Sequence, residues 1–145
     1  MRVVLQRVLR ASVSVEGKTV GAIQDGLLLF VGFGREDEEE VLDTAVDKIL
    51  NLRIFSDENG KLNLSLLDKK YSVLAISQFT LYANCSRGRR PDFTHAAHPD
   101  KASHLFELFK AKLKERGVHT ESGVFGADML VDLVNDGPIT INLEF

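Results

Sequence analysis

Val3 to Phe33 reads VVLQRVLRASVSVEGKTVGAIQDGLLLFVGF, and the rest of the fold is best approached from this stretch. Val3–Val8 alternates and is rich in valine, and Ser12–Glu16 repeats the pattern, as strands with one buried face do. Gly17-Lys18 and Asp25-Gly26 are turn signals between short apolar runs. They predict a meander that continues through Thr19–Ile23 and Leu27–Phe33, ended by Gly34.

Beyond Gly34 the period changes. From about Glu38 to Asn51, the residues Val41, Leu42, Ala45, Val46, Ile49 and Leu50 recur at helical spacing. Acidic residues crowd the first turn of this helix, where its dipole favours them. Ile54–Phe55 predicts a short strand and Asp57-Glu58-Asn59-Gly60 a turn. Tyr71–Leu81 reads as one long, largely buried strand. A second helix starts near Pro99, carries Ala102, Leu105, Phe106, Phe109 and Leu113 on one face, and stops at Gly117. Strands return at Val118–Glu121, Ala127–Val134 and Ile139–Phe145. Many strands, two main helices and no regular βαβ alternation predict a single α+β domain over residues 1–145, with a mainly antiparallel sheet.

Bulk properties narrow the function classes. A chain of 145 residues, 44% hydrophobic and 27% charged, is ordinary for a soluble globular domain. No apolar run is long enough to span a bilayer, and the N-terminus lacks a signal-peptide cleavage site. A lone Cys85 excludes an internal disulfide and fits a reducing compartment, so the cytoplasm is expected. The net charge of −3 argues against bulk attraction to nucleic acid, but the charge is unevenly spread. Glu36, Asp37, Glu38, Glu39 and Glu40 form an acidic run read as solvated surface. Arg87, Arg89 and Arg90 gather the opposite charge and are candidates for phosphate contacts.

Conventional catalytic motifs are missing: there is no glycine-rich phosphate loop, no CxxC and no HExxH. His95 and His98 precede Pro99, which suits an exposed loop better than a zinc site. Cys85 can be drawn as half of a thiol–imidazole pair, but no third residue is evident to orient it. Two segments are odder. In Ser77-Gln78-Phe79-Thr80-Leu81-Tyr82-Ala83 a buried apolar strand gains several hydrogen-bonding side chains. Continued as a strand, it would put Ser77, Phe79 and Leu81 on one face and Gln78, Thr80 and Tyr82 on the other. A polar solvent face on a strand leaving the core explains it equally well. Asn135-Asp136-Gly137-Pro138-Ile139-Thr140 is either a plain turn or a binding loop, since each of its first four residues favours turns.

These segments carry a family resemblance. Ser77–Ala83 resembles the SQFTL-type motif of D-aminoacyl-tRNA deacylases, and Asn135–Thr140 resembles their NxGPxT motif. Met1–Val8, Gly88-Arg89-Arg90-Pro91 and Gly123–Met129 are similar to further family stretches, so the resemblance spans the chain; Asn84-Cys85-Ser86 departs from it. It implies a barrel-like α+β fold and a homodimer with the active site at the subunit interface. It also implies hydrolysis of the ester of D-aminoacyl-tRNA, and of glycyl-tRNA, in translation quality control, with no cofactor and no metal. By the same resemblance Gly137-Pro138, joined by a cis bond, reaches the partner's pocket. There its carbonyls act as a chirality filter, rejecting L side chains by exclusion. Ser77, Gln78, Phe79 and Thr80 become the catalytic strip. Phe125 and Met129 hold the terminal adenine, with structural core as the rival reading for both; Gly126 is a further substrate-binding residue, and Arg7 braces the Gly-Pro loop.

Backbone N–H groups around Phe79 and Thr80 are candidates for an oxyanion hole. Thr80 has two open roles: nucleophile, or a positioning group while the 2′-hydroxyl of the terminal ribose assists. The alternatives are a related deacylase that accepts mischarged L-alanyl-tRNA, a non-catalytic module that grips a tRNA CCA end, and a Cys85 hydrolase.

Overall fold

The computed structural model describes residues Met1–Phe145. The predicted meander is replaced by one long hairpin: Lys18–Ile23 and Gly26–Gly32 run successively in the same direction along the first strand, and Asp25-Gly26 does not reverse the chain. β1 (Arg2–Val15) is one continuous strand, followed by β2 (Lys18–Ile23) and β3 (Gly26–Gly32). The β1–β2 hairpin turns through Glu16 and Gly17, with φ of 50° and 77°, one residue earlier than the sequence suggested. Two successive positive φ values match the right-handed twist of the flanking strands.

The helices α1 (Glu40–Asn51) and α3 (Pro99–Glu115) lie close to their predicted limits. His98 accepts the Asp100 N–H at the start of α3, and Pro99 occupies its first turn. Directly after α1 come the hairpin β4 (Phe55–Ser56) and β5 (Leu62–Leu64), and the one-turn α2 (Leu66–Lys69). Ser65 and Asp68 cap α2 reciprocally. The Asp68 N–H donates to Ser65 Oγ at 3.1 Å, and the Ser65 N–H to Asp68 Oδ2 at 2.8 Å.

Pairing departs from the expectation of a mainly antiparallel sheet. β1 pairs antiparallel with β2, β3 and the long C-terminal β8 (Leu130–Glu144), as expected. However, β3 pairs parallel with β6 (Ser72–Ser77), and β6 parallel with β7 (Thr120–Ser122). Parallel neighbours need long crossovers. α1 lies in the first crossover and α3 in the second, so two βαβ-like connections were concealed by the β4–β5–α2 insertion. The result is a mixed α+β fold whose sheet nearly closes on itself. At Gly21 of β2, a Cβ would lie 2.8 Å from the Ser122 carbonyl of β7, an approach only glycine permits.

Both sheet faces are buried. Leu27 and Leu29 pack with Val3, Leu5, Val73 and Ala75 under α1 and α3. Leu28, Leu74 and Ile76 join Val8, Ala11, Val13 and Ile23 on the opposite face. The unbroken apolar run of β3 therefore reports two buried faces. No helix is long and apolar enough to cross a membrane.

Candidate functional site

Three parallel strands end side by side, and a cleft of about 740 Å³ opens where they end. Val31 to Phe33 span the end of β3, Ile76 to Phe79 span the end of β6, and Phe125 to Met129 lie on the segment after β7. The other wall comes from Phe93, Thr94, Ala96 to Pro99 and Ala102. Crevices outside the carboxyl ends of parallel strands are where open sheets bind ligands, because the chain there leaves regular pairing and exposes backbone groups.

The predicted strand does not run to Leu81. β6 stops at Ser77, and Phe79–Tyr82 winds into a 3-10 turn. The alternation of faces expected beyond Ser77 therefore fails. Gln78 still holds to β3 through its N–H, donated to the Val31 carbonyl at 2.7 Å, and its Nε2 donates to Thr80 Oγ1. The next two amides are different. No side chain and no loop carbonyl accepts from the Phe79 or Thr80 N–H, and the first N–H groups of a helical turn have no preceding carbonyl of that turn to reach. Two adjacent leading N–H groups thus sit at the end of β6. Phe79 itself is 56% exposed and meets Phe93 edge-on, with ring centres 5.0 Å apart.

Ser77, Gln78, Phe79, Phe125, Gly126 and Met129 all line the cleft. Phe125 also packs against Phe106 at 6.4 Å between ring centres, so core packing and cleft lining coexist in that side chain. Arg7, Gly137 and Pro138 are elsewhere. They form a second cluster on the β1–β8 pair, where one residue of β1, Arg7, stands opposite four of β8, Asp136 to Ile139. The expected turn between two strands is instead a bulge within one strand. Asn135 staples its base: its Oδ1 accepts the Ile139 N–H at 2.8 Å, and its Nδ2 donates to the Ile139 carbonyl and Thr140 Oγ1. Arg7, 8% exposed, donates to the Asp136 carbonyl at 3.0 Å and to the Ile54 carbonyl at 2.7 Å, and pairs with the Asp136 carboxylate at 3.2 Å. The Gly137–Pro138 peptide is cis, and both residues are exposed.

Arg87, Arg89 and Arg90 ride on an excursion closed at its base by the Asn84–Asp92 backbone pair, and all three are exposed. Cys85 on the same loop is exposed, and His98 Nδ1 is engaged with Asp100. The acidic run divides. Glu38 and Glu39 pair at the surface with Lys101 and His104. Asp37 turns inward, against the reading of the whole run as solvated surface. It accepts the Gly34 N–H at 2.6 Å, the Tyr82 hydroxyl at 3.2 Å and the N-terminal amine at 2.6 Å. Burial and the adjacent Asp37 charge push the Tyr82 hydroxyl up to about 12. Sequence reasoning missed this group, because Asp37 sits among glutamates whose composition points to solvent.

Comparison with known proteins agrees with these features. Residues 4–144 match the family described as D-Tyr-tRNA(Tyr) deacylase. A D-aminoacyl-tRNA deacylase of Brevibacillus brevis is 54% identical over 144 residues, covering 99% of each chain. One from Thermotoga petrophila is 56% identical, covering 99% of this chain and 97% of the relative. Among solved structures, one described as a c-Myc DNA unwinding element binding protein superposes with a TM-score of 0.95 at 42% identity, covering 100% of this chain and 99% of that one. A probable eukaryotic D-amino acid tRNA deacylase shares the fold, with a TM-score of 0.86 at 21% identity over 98% of this chain and 97% of its own. With the motif at the end of β6, the stapled bulge of β8 and a full-length family match together, the chain belongs to the D-Tyr-tRNA(Tyr) deacylase family.

Proposed function

We propose that this protein hydrolyses the ester joining a D-amino acid to the terminal ribose of tRNA, and rejects the L ester. The observation that carries the reading is the pair of adjacent leading N–H groups of the turn, at Phe79, which lines a largely apolar cleft, and at Thr80, which does not line it but directly follows. A water attacks the ester carbonyl, and the tetrahedral oxyanion is met by these donors, each worth about 3–4 kcal/mol in such a role. The bond to the ribose oxygen then breaks, and that oxygen takes the proton.

Thr80 Oγ1 already accepts from Gln78, and no imidazole is bonded to it, so a positioning role is favoured over nucleophilic attack. Assistance then comes from the neighbouring 2′-hydroxyl of the substrate. Phe125 and Met129 hold the terminal adenine, and apolar stacking suits any such base; Gly126 is a further substrate-binding residue. Ser77 and Gln78 hold the ribose end. Arg87, Arg89 and Arg90 meet backbone phosphates.

The chirality filter belongs to the Asp136–Pro138 backbone, supplied to the cleft by a second copy in a homodimer. Support comes from the placement of this bulge, which is exposed and does not line its own cleft. The 77% exposed Leu130 on β8 adds an apolar side chain that a partner would cover. A filter built of backbone touches only what all amino acids share, so glycyl-tRNA is also expected to be cleaved.

The test is ester loss from D-tyrosyl-tRNA and L-tyrosyl-tRNA with a chelator present. Rapid loss of only the D ester is expected. A second reading, nucleic-acid binding without hydrolysis, draws on the description of the DNA-binding relative and predicts that tRNA binds while neither ester is lost.

A further inference from the structure

We infer that Asp37 and Tyr82 act as a positioning pair that fixes the Phe79–Thr80 donors from behind the cleft. Neither side chain lines the cleft, so neither touches the substrate. Their geometry instead locks the turn that bears the donors. Tyr82 is the last residue of the 3-10 turn, and its hydroxyl donates to Asp37 Oδ2 at 3.2 Å. The same oxygen accepts the Gly34 N–H at 2.6 Å, just past the end of β3, the strand that holds Gln78. The Tyr82 ring lies so close over Gly34 that a Cβ there would be 2.7 Å from it.

Arg2 closes the arrangement from the other side. Its Nη1 donates to the Leu81 carbonyl at 3.0 Å, and its guanidinium lies 4.6 Å from the centre of the Tyr82 ring. The Arg2 guanidinium also pairs with Glu144 near the end of β8 at 3.2 Å. The turn is thereby tied to three separate strands, while its first two N–H groups have no carbonyl of the turn to reach. A short turn whose leading amides lack such partners has little of its own to hold it. Fixing the aromatic at its far end sets where the donors point.

The inference rests on the deacylase reading, so the experiment begins with wild-type hydrolysis of D-tyrosyl-tRNA; absence of turnover there would remove that reading before any variant is compared. Tyr82→Phe keeps the ring over Gly34 and under Arg2 but deletes the bond to Asp37. Asp37→Asn keeps the shape and removes the charge. The expected result for both is kcat lower by roughly 10- to 100-fold, the scale of a displacement of about 1 Å in a reacting geometry. KM should stay within about twofold and the melting temperature near wild type, since the cleft surface is untouched. Glu36→Gln, an exposed neighbour in the same acidic run, should leave both constants unchanged.

An unchanged kcat in Tyr82→Phe overturns the inference. So does a rise in KM at constant kcat, a loss that tracks melting temperature, or an equal loss in Glu36→Gln. If Asp37→Asn fails to fold, Tyr82→Phe alone decides.

Discussion

The 3-10 turn after β6 and the bulge in β8 are the two places where a strand abandons regular pairing, and they do so in opposite ways. The turn ends a strand buried on both faces and leaves its leading N–H groups without a carbonyl of their own turn. The bulge interrupts an edge strand without ending it, and stands out from the surface. Their supports differ accordingly. The turn is held by a partly buried hub that reaches across the chain, from Asp37 to Tyr82 and Gly34. The bulge is held locally by the Asn135 amide, with one long-range brace from Arg7. In the proposed reading one region supplies donors and the other peptide carbonyls. The proposed site, which must bind an oxyanion and an ammonium group, would need one of each, and this chain keeps them on separate surfaces.

The comparison breaks most visibly at Arg7. Arg7→Ala removes the brace and leaves the buried side of the Ile54 carbonyl without its donor, costing about 2–3 kcal/mol of stability. Chemical denaturation should show the loss, and hydrolysis of the D ester should fall by roughly 100-fold while the Tyr82 environment is preserved. If the spectrum of Tyr82 changes as well, the two regions are not independent. Gly34→Ala attacks the other region. Its Cβ would press on the Tyr82 ring, and overpacking of this kind costs about 1–3 kcal/mol. Turnover should drop roughly 10-fold with the bulge undisturbed, a result to be read in parallel with the Arg7 variant.

Alkaline titration sharpens the comparison further. Tyr82 titrates near 12 in the fold against an ordinary 10, so its protonated form is favoured by folding. That stability is fully present below about pH 10 and is lost as pH rises from there toward 12. Wild type should lose melting temperature more steeply than Tyr82→Phe across this window. Identical slopes would show that the hub does not contribute. The smallest effect is expected from the basic loop. Replacing Arg87, Arg89 and Arg90 with alanine should lower kcat/KM a few-fold at low salt and flatten its salt dependence, as loss of exposed phosphate contacts does. Salt-insensitive wild-type turnover would remove the loop from the substrate path.

Much of this was legible before any coordinates. The spacing of Leu42, Ala45, Val46, Ile49 and Leu50 located α1, and all five are buried. Pro99 and Gly117 bracketed α3 because one fixes φ and the other tolerates a left-handed C-terminus. The misreadings have identifiable causes. The run from Ser77 to Tyr82 is compatible with a strand or a tight turn, since polar residues satisfy either, and the free end of β6 settled it as a turn. Leu27-Leu28-Leu29 did carry the signal of a parallel, doubly covered strand, but the adjoining turn residues favoured a meander reading. Asp37 was hidden among four glutamates, where composition predicts solvent for all of them.

The sequence by itself determined the family motifs, the two amphipathic helices and the apolar strands, because each is a property of a short window whose period or residue types report local geometry. Only the tertiary structure decided that β3, β6 and β7 run parallel, so that the cleft lies beyond their ends. Only it placed Asp37 under Tyr82, and separated Gly137-Pro138 from the cleft within one chain. These depend on which distant segments pair and in which direction. Such choices are made by many weak contacts summed across the whole core, and no single window of sequence contains them.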